Sequence, residues 1–255
     1  MKFNKLKILM LSALIVPTTS VFSEEESSSV SFSGNVGLYS DYIFRGYTQT
    51  KGQPALQGGF DLELESGLYI GTWASNVEWT TQGGYMDSNS IEVDVYAGFA
   101  GSAGPVDFDI GVLQFLYPGD NTAGAAEADA TELYIGIAKD LGPLSASVYY
   151  YNVISTDAWG FADADGSDYW TLDVDVPLGE TPITASFHVG HQEFDGTGNE
   201  PFDYTDWKVN LDYGLSDTYS AGVYFTDTDM TESDWTVAGE FLGQDSVGVY
   251  LSAGF

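Results

Sequence analysis

Few side chains in this sequence could do chemistry, and most of them are carboxylates. Arg45 is the only arginine in the chain. It stands four residues after Asp41, so in an extended segment the two fall on one face. A lone cation opposed by carboxylates is the arrangement of a pore constriction, where it sets a transverse field. An internal ion pair with Asp41, Asp61 or Glu63 that stiffens the fold is the competing reading, and the favoured one, because a buried charge without a counter-ion is costly. Lys208 carries the same two readings, with Asp206 or Asp212 as its partner. Lys139 is placed to point outward at a strand end and snorkel. His188 and His191 are the only histidines, and their spacing puts them on opposite strand faces. His188 shares a face with Ser186, yet no third group or oxyanion motif flanks them, so no enzyme is expected. Asp163-Ala164-Asp165-Gly166-Ser167-Asp168 resembles the opening of a calcium loop, with Asp163, Asp165 and Asp168 as candidate ligands. It lacks the later bidentate Glu, which favours a solvated acidic loop. No organic cofactor is expected; Ca²⁺ is the metal this pattern suggests, and calcium or magnesium could bridge such loops to lipopolysaccharide.

The balance of charge narrows the classes further. There are 7 Lys+Arg against 38 Asp+Glu, for a formal net charge of −31. Such a chain has no basic footprint for a phosphate backbone, so nucleic acid is excluded as a partner. The absence of cysteine removes disulfides, thiolate metal sites and thiol nucleophiles. High charge often accompanies disorder, but 44% hydrophobic residues with 17 Tyr, 15 Phe and 6 Trp supply ample core-forming surface.

Residues 1–23 read as a secretory signal peptide. Lys2, Lys5 and Lys7 precede the apolar run Ile8–Val16, and small residues follow, with cleavage expected at Ser23/Glu24. Removal leaves Arg45, Lys51, Lys139 and Lys208 as the only basic residues. Residues 24–29 form a short acidic, Ser-rich segment, and 30–255 form the fold. No later run is long and apolar enough for a helical membrane span.

From Val30 onward the periodicity is two. Ile91, Val93, Val95, Ala97 and Phe99 alternate with Glu92, Asp94, Tyr96 and Gly98, and the same rhythm recurs along the chain. Strands are expected near 30–46, 55–65, 67–77, 90–100, 105–116, 131–139, 144–154, 168–178, 182–192, 203–214, 218–226 and 246–255. A thirteenth candidate, 234–241, is short and lies in Asp/Thr/Ser-rich sequence; assigning it to a loop over 227–245 gives the even number that barrel closure requires. Short connections alternate with long polar ones, the habit of an outer-membrane barrel. Phe44, Trp170, Trp207 and Phe225 fall on apolar faces near one rim, and Phe32, Phe99, Tyr213 and Phe255 near the other, as interfacial girdles do. The fold expected is all-β, a transmembrane antiparallel up-and-down barrel of about twelve strands. Its lumen would be lined by Asp41, Arg45, Asp61, Glu63, Glu92, Asp94, Asp107, Asp109, Asp173, Asp175 and Lys208. Tyr39, Tyr69, Trp73, Tyr96, Tyr134, Tyr149, Tyr151 and Tyr224 also face inward and could plug it.

Several segments look alike to a known family. Ser40-Asp41-Tyr42-Ile43-Phe44-Arg45-Gly46, Pro54–Phe60 and Ser66–Val77, continued by Glu92–Gly98, Tyr117-Pro118-Gly119 and Glu132-Leu133-Tyr134, resemble the signature of the TorF-family porins, also called the Gcw_chp family. The resemblance is close over roughly 30–135 and implies an outer-membrane barrel acting as a channel. It supplies no substrate and no catalytic residue. Val247, Val249, Leu251, Ala253 and Phe255 make one apolar face with an aromatic last residue, which resembles the assembly signal of outer-membrane barrels. Family members often carry a basic residue shortly before that Phe, where this chain has Ala253-Gly254. The expected function is passive diffusion of small hydrophilic, cationic solutes across the cell outer membrane of a Gram-negative bacterium. Outer-membrane lipid, lipopolysaccharide and the barrel-assembly machinery are the expected partners. The alternative is a non-conducting structural or surface-interaction barrel whose acidic loops bind divalent cations.

Overall fold

The structure, a computed structural model, describes residues 30–255. The expected signal peptide and the acidic segment 24–29 lie outside the described residues. Twelve antiparallel strands close into one barrel. They are β1 (Val30–Tyr39), β2 (Ala55–Leu64), β3 (Leu68–Asn76), β4 (Ile91–Ala103), β5 (Val106–Leu116), β6 (Ala130–Asp140), β7 (Ser145–Val153), β8 (Asp168–Pro177), β9 (Ile183–Glu193), β10 (Tyr204–Gly214), β11 (Tyr219–Thr228) and β12 (Ser246–Gly254). Each pairs with its neighbour in sequence, and β1 closes on β12 from Asn35↔Gly254 to Tyr39↔Tyr250. Closure leaves no sheet edge unpaired, which is what hydrocarbon demands of a β-structure.

The connections 65–67, 104–105, 141–144, 178–182 and 215–218 are short and share one rim. Those at the other rim, 40–54, 77–90, 117–129, 154–167, 194–203 and 229–245, are long. The segment 234–241 stands outside the barrel as a small hairpin, Thr236–Val237 paired with Glu240–Phe241, which is why the count is twelve. The expected first strand is too long, however. β1 stops at Tyr39, and 40–54 is a long-rim connection whose centre, Ile43–Phe44 paired with Tyr47–Thr48, is a second small hairpin.

Alternation sorts side chains between two environments. On β6, Leu133, Ile135 and Ile137 face out at 49–53% exposure, while Glu132 and Tyr134 face in and are buried. Val247, Val249 and Leu251 on β12, and Leu56, Phe60 and Leu62 on β2, continue the outward apolar belt. A contiguous belt of this extent is not a surface that water covers. Trp170, Trp207 and Phe225 face outward toward the long-loop rim, and Phe32, Phe99, Tyr213 and Phe255 toward the short-turn rim. Phe44 does not join them: it belongs to the inserted hairpin and packs edge-on against Phe115 and tilted against Trp159 instead. At the seam, Phe255 and Gly34 exchange backbone hydrogen bonds of 2.8 and 2.9 Å, and the Phe255 ring meets Phe60.

Inside, tyrosine rings lie flat over glycines of the adjacent strand. The register pairs Gly71 with Tyr96, Gly98 with Tyr69, Gly111 with Tyr134, Gly136 with Tyr149, Gly222 with Tyr250 and Gly248 with Tyr224. A Cβ at Gly111 would sit 2.4 Å from the Tyr134 hydroxyl oxygen and 2.7 Å from the Ala97 carbonyl. Gly111→Val is therefore expected to destabilise the barrel by about 1–3 kcal/mol, the usual cost of overpacking. Reversible urea unfolding in lipid vesicles measures it, and a change under ~0.5 kcal/mol would contradict the packing account.

Candidate functional site

The lumen is acidic, and tyrosine hydroxyls satisfy several of its carboxylates. Tyr96 donates to Asp61 at 2.6 Å, Tyr250 to Asp212 at 2.8 Å and Tyr169 to Asp206 at 2.9 Å. Asp109 accepts from Tyr69 at 2.6 Å and Tyr149 at 3.3 Å, and Tyr69 also meets the Tyr134 hydroxyl. Glu92 accepts from Tyr42 at 2.6 Å and Tyr117 at 2.5 Å. Phenolic O–H groups supply the donors that a chain this poor in cations lacks. Asp94 is 1% exposed, and its Oδ1 has no hydrogen-bond partner among the described residues.

The hairpin within 40–54 folds into this lumen. Arg45 and Gly46 form its two-residue turn, both with positive φ, +44° and +87°, the backbone of a tight hairpin turn whose twist matches the strands. At Gly46 only hydrogen fits, since a Cβ would lie 2.4 Å from the Asp206 Cβ on β10 and 2.7 Å from the Thr228 Cγ2 on β11. Arg45 holds a left-handed conformation that non-glycine residues rarely adopt, and such strain concentrates at functional positions.

The Arg45 side chain ends in a closed cage. Its Nη2 donates to both Glu132 oxygens, at 2.8 and 2.7 Å, and its Nη1 to Gln192 Oε1 at 2.8 Å. The guanidinium carbon lies 4.2 Å from the Tyr169 ring centroid and 4.9–5.3 Å from those of Phe44, Tyr151 and Trp159. Glu132 and Tyr169 are fully buried and Arg45 nearly so. The favoured expectation of an ion pair is thus realised, but with Glu132 and not with Asp41, Asp61 or Glu63. Asp41 instead accepts from the Thr48 and Thr50 hydroxyls at 2.7 Å. Burial raises the Asp41 carboxyl above its ordinary value, and those two hydrogen bonds work against the rise. The rest of the hairpin is held as firmly: Tyr42 packs on Trp73, Tyr47 on Tyr204 and Trp235, and Thr48 N–H donates to the Leu242 carbonyl at 3.1 Å.

Residues 23–255 match the profile of a family described as "Bacterial protein of unknown function (Gcw_chp)". The chain belongs to the Gcw_chp family. No curated protein matches this sequence. Among solved structures, the barrel is similar to the KdgM porin, with a TM-score of 0.55 at 7% identity over 88% of this chain and 98% of that one. It is also similar to an outer membrane channel from Pseudomonas putida F1, with a TM-score of 0.53 at 11% identity over 90% and 96% of the two chains. At these identities the likeness is one of fold: the Gcw_chp chain has the architecture of outer-membrane porin-like barrels.

The other expected lumen residues of this Gcw_chp protein take varied positions. Asp107, Asp173 and Asp175 are part-buried on inward faces, while Glu63 reaches the exposed short-turn rim. His188 faces inward and lies between two carboxylates, with Nδ1 at 2.7 Å from Asp173 and Nε2 at 3.0 Å from Asp206. Both ring nitrogens are so engaged that neither is directed at Ser186 as a base. Lys208 stands 5.9 Å from the Tyr224 ring centroid and is not ion-paired with Asp206 or Asp212, which serve His188 and Tyr250. His191 faces outward beside Trp170, and Lys139 is exposed at its strand end.

Most of the calcium-like segment 163–168 lies in the connection that precedes β8. Asp168 lies at the start of β8 and accepts from Tyr150 at 3.3 Å. The Asp163 backbone N–H is turned to Asp157. Among the described residues no group of three or more His, Asp or Glu side chains is placed to hold a metal ion, Asp163, Asp165 and Asp168 included.

Glu132, Gln192 and the cage aromatics Tyr151, Trp159 and Tyr169 were not singled out as partners of Arg45 by their spacing. Glu132 has the right parity for the lumen, but its pairing spans 87 residues and is fixed by barrel closure.

Proposed function

We propose that this Gcw_chp protein is an outer-membrane channel for passive diffusion of small hydrophilic, cationic solutes, and that the 40–54 hairpin is its constriction. One observation carries the reading. A closed barrel lined by carboxylates receives an inserted turn, whose one cation is bound by Glu132 on the barrel wall. Carboxylates on a low-dielectric wall raise the local concentration of cations and repel anions. The apolar belt and its aromatic rims support insertion in a bilayer, and the likeness to TorF-family porins read from Ser40–Gly46 and the segments that follow agrees with a channel. In that setting outer-membrane lipid and lipopolysaccharide surround the barrel, and Phe255 at the seam serves as the signal read by the assembly machinery.

Planar-bilayer recording across a potassium chloride gradient tests the proposal. The expected reversal potential has the cation-selective sign, and an anion-selective sign overturns it. The burial of Arg45, Glu132 and Tyr169 favours a second reading, a barrel that stays shut and acts at the surface. Under that reading no current flows even when the hairpin is dislodged.

A further inference from the structure

The Arg45 cage has the composition of a ligand site. Apart from Phe44, which arrives on the hairpin itself, it offers one carboxylate, one amide oxygen and the rings of Tyr151, Trp159 and Tyr169. These parts are complementary to a flat, delocalised cation. A planar guanidinium can set one nitrogen on Glu132 and a second on Gln192 while its face lies over the Tyr169 ring, as Arg45 does here, whereas an ammonium has a single nitrogen to offer. Its occupant in this structure arrives on a hairpin whose turn backbone is strained at Arg45, and it is the sole arginine of the chain.

We infer that the cage is a binding site for guanidinium-bearing solutes and that Arg45 is a tethered occupant which such solutes displace. The inference deepens the cation-channel reading and rests on it for its role in transport. A free guanidinium compound that takes the place of Arg45 at Glu132 removes the hairpin's anchor at the same moment. Binding and opening are then one event, and the barrel admits preferentially the solutes that can unseat its own arginine. A tethered competitor lowers the apparent affinity for a free ligand by the fraction of time the cage is vacant.

The test uses ethylguanidinium and the full barrel in detergent, with tryptophan emission as the readout because Trp159 is a cage wall. In Arg45→Gly, where glycine also suits the positive φ, ethylguanidinium is expected to give a saturable spectral change. Binding is expected to be roughly tenfold or more weaker in the wild type, and similarly weakened in Arg45→Gly/Glu132→Gln. Sodium and tetramethylammonium at equal ionic strength are expected to give no saturable change. Equal responses with and without Glu132, or no saturable response in Arg45→Gly, overturn the inference. If Arg45→Gly does not fold, a nitroxide at Gln53→Cys decides instead, since the chain has no other cysteine. Ethylguanidinium must raise its mobility above that in matched sodium chloride, and an unchanged spectrum rejects displacement. None of these readouts needs current. Binding without conductance removes the channel reading and leaves the cage, and conductance without binding does the reverse.

Discussion

Gly46→Val is expected to raise the open probability of the channel in planar bilayers roughly tenfold over wild type, while leaving every charge in place. The tip of the hairpin reaches β10 and β11 so closely that a Cβ at Gly46 would overlap Asp206 and Thr228 at 2.4 and 2.7 Å. The +87° backbone there adds strain for any side chain. A clash of this kind costs about 1–3 kcal/mol, and each ~1.4 kcal/mol shifts the balance between inserted and withdrawn hairpin tenfold. Arg45→Gly reaches the same state by another route, since it removes the anchor and relieves the turn. The two variants together separate geometry from charge. If both stay silent in bilayers while their heat-modifiable gel migration shows a folded barrel, the hairpin is not the constriction. If only Arg45→Gly conducts, the charge of Arg45 and not the hairpin's bulk sets the barrier.

Local parity made the twelve strands legible. Inside and outside alternate residue by residue, so Leu133, Ile135 and Ile137 announce their face without knowledge of their neighbours. The inward tyrosines were legible for the same reason, and Tyr39, Tyr69, Tyr96, Tyr134, Tyr149, Tyr151 and Tyr224 are all buried. What parity does not reveal is where a strand leaves the sheet. Ser40-Asp41-Tyr42-Ile43-Phe44 continues the apolar mixture of β1, so the sequence reads as one strand to Gly46. The chain instead turns inward after Tyr39, because aromatic contacts with Trp73, Phe115, Tyr204 and Trp235 are available only inside a closed barrel. Phe44 was misplaced for that reason, and the partner of Arg45 with it. An arginine at φ +44° has no local mark either: Arg-Gly becomes a turn signal only once the flanking residues are known to pair. Long-range closure also decides which carboxylates share donors, so the tyrosine network around Asp109 and Glu92 is a property of the barrel and not of any segment.

Removing Glu132 is expected to be the most damaging single change in the lumen. In the folded barrel its carboxylate is fully buried and accepts two hydrogen bonds from Arg45. Glu132→Ala would leave a guanidinium in an aromatic cage with only Gln192 to accept from it. Breaking one side of such a pair typically costs 3–5 kcal/mol, roughly the range expected here. The hairpin, however, has an escape that a core ion pair does not, because it can withdraw and carry Arg45 to water. The loss of unfolding free energy is therefore capped by the free energy that holds the hairpin in place, and the remainder appears as opening. Urea unfolding in vesicles should show Glu132→Ala well below wild type and above its value with Gly46→Val only if the hairpin stays inserted. Adding Arg45→Gly to Glu132→Ala removes the stranded charge, so the double variant is expected to be more stable than Glu132→Ala alone. Additive losses in that cycle would mean that the two side chains do not act as a pair, and the account of the hairpin's anchor would have to be abandoned.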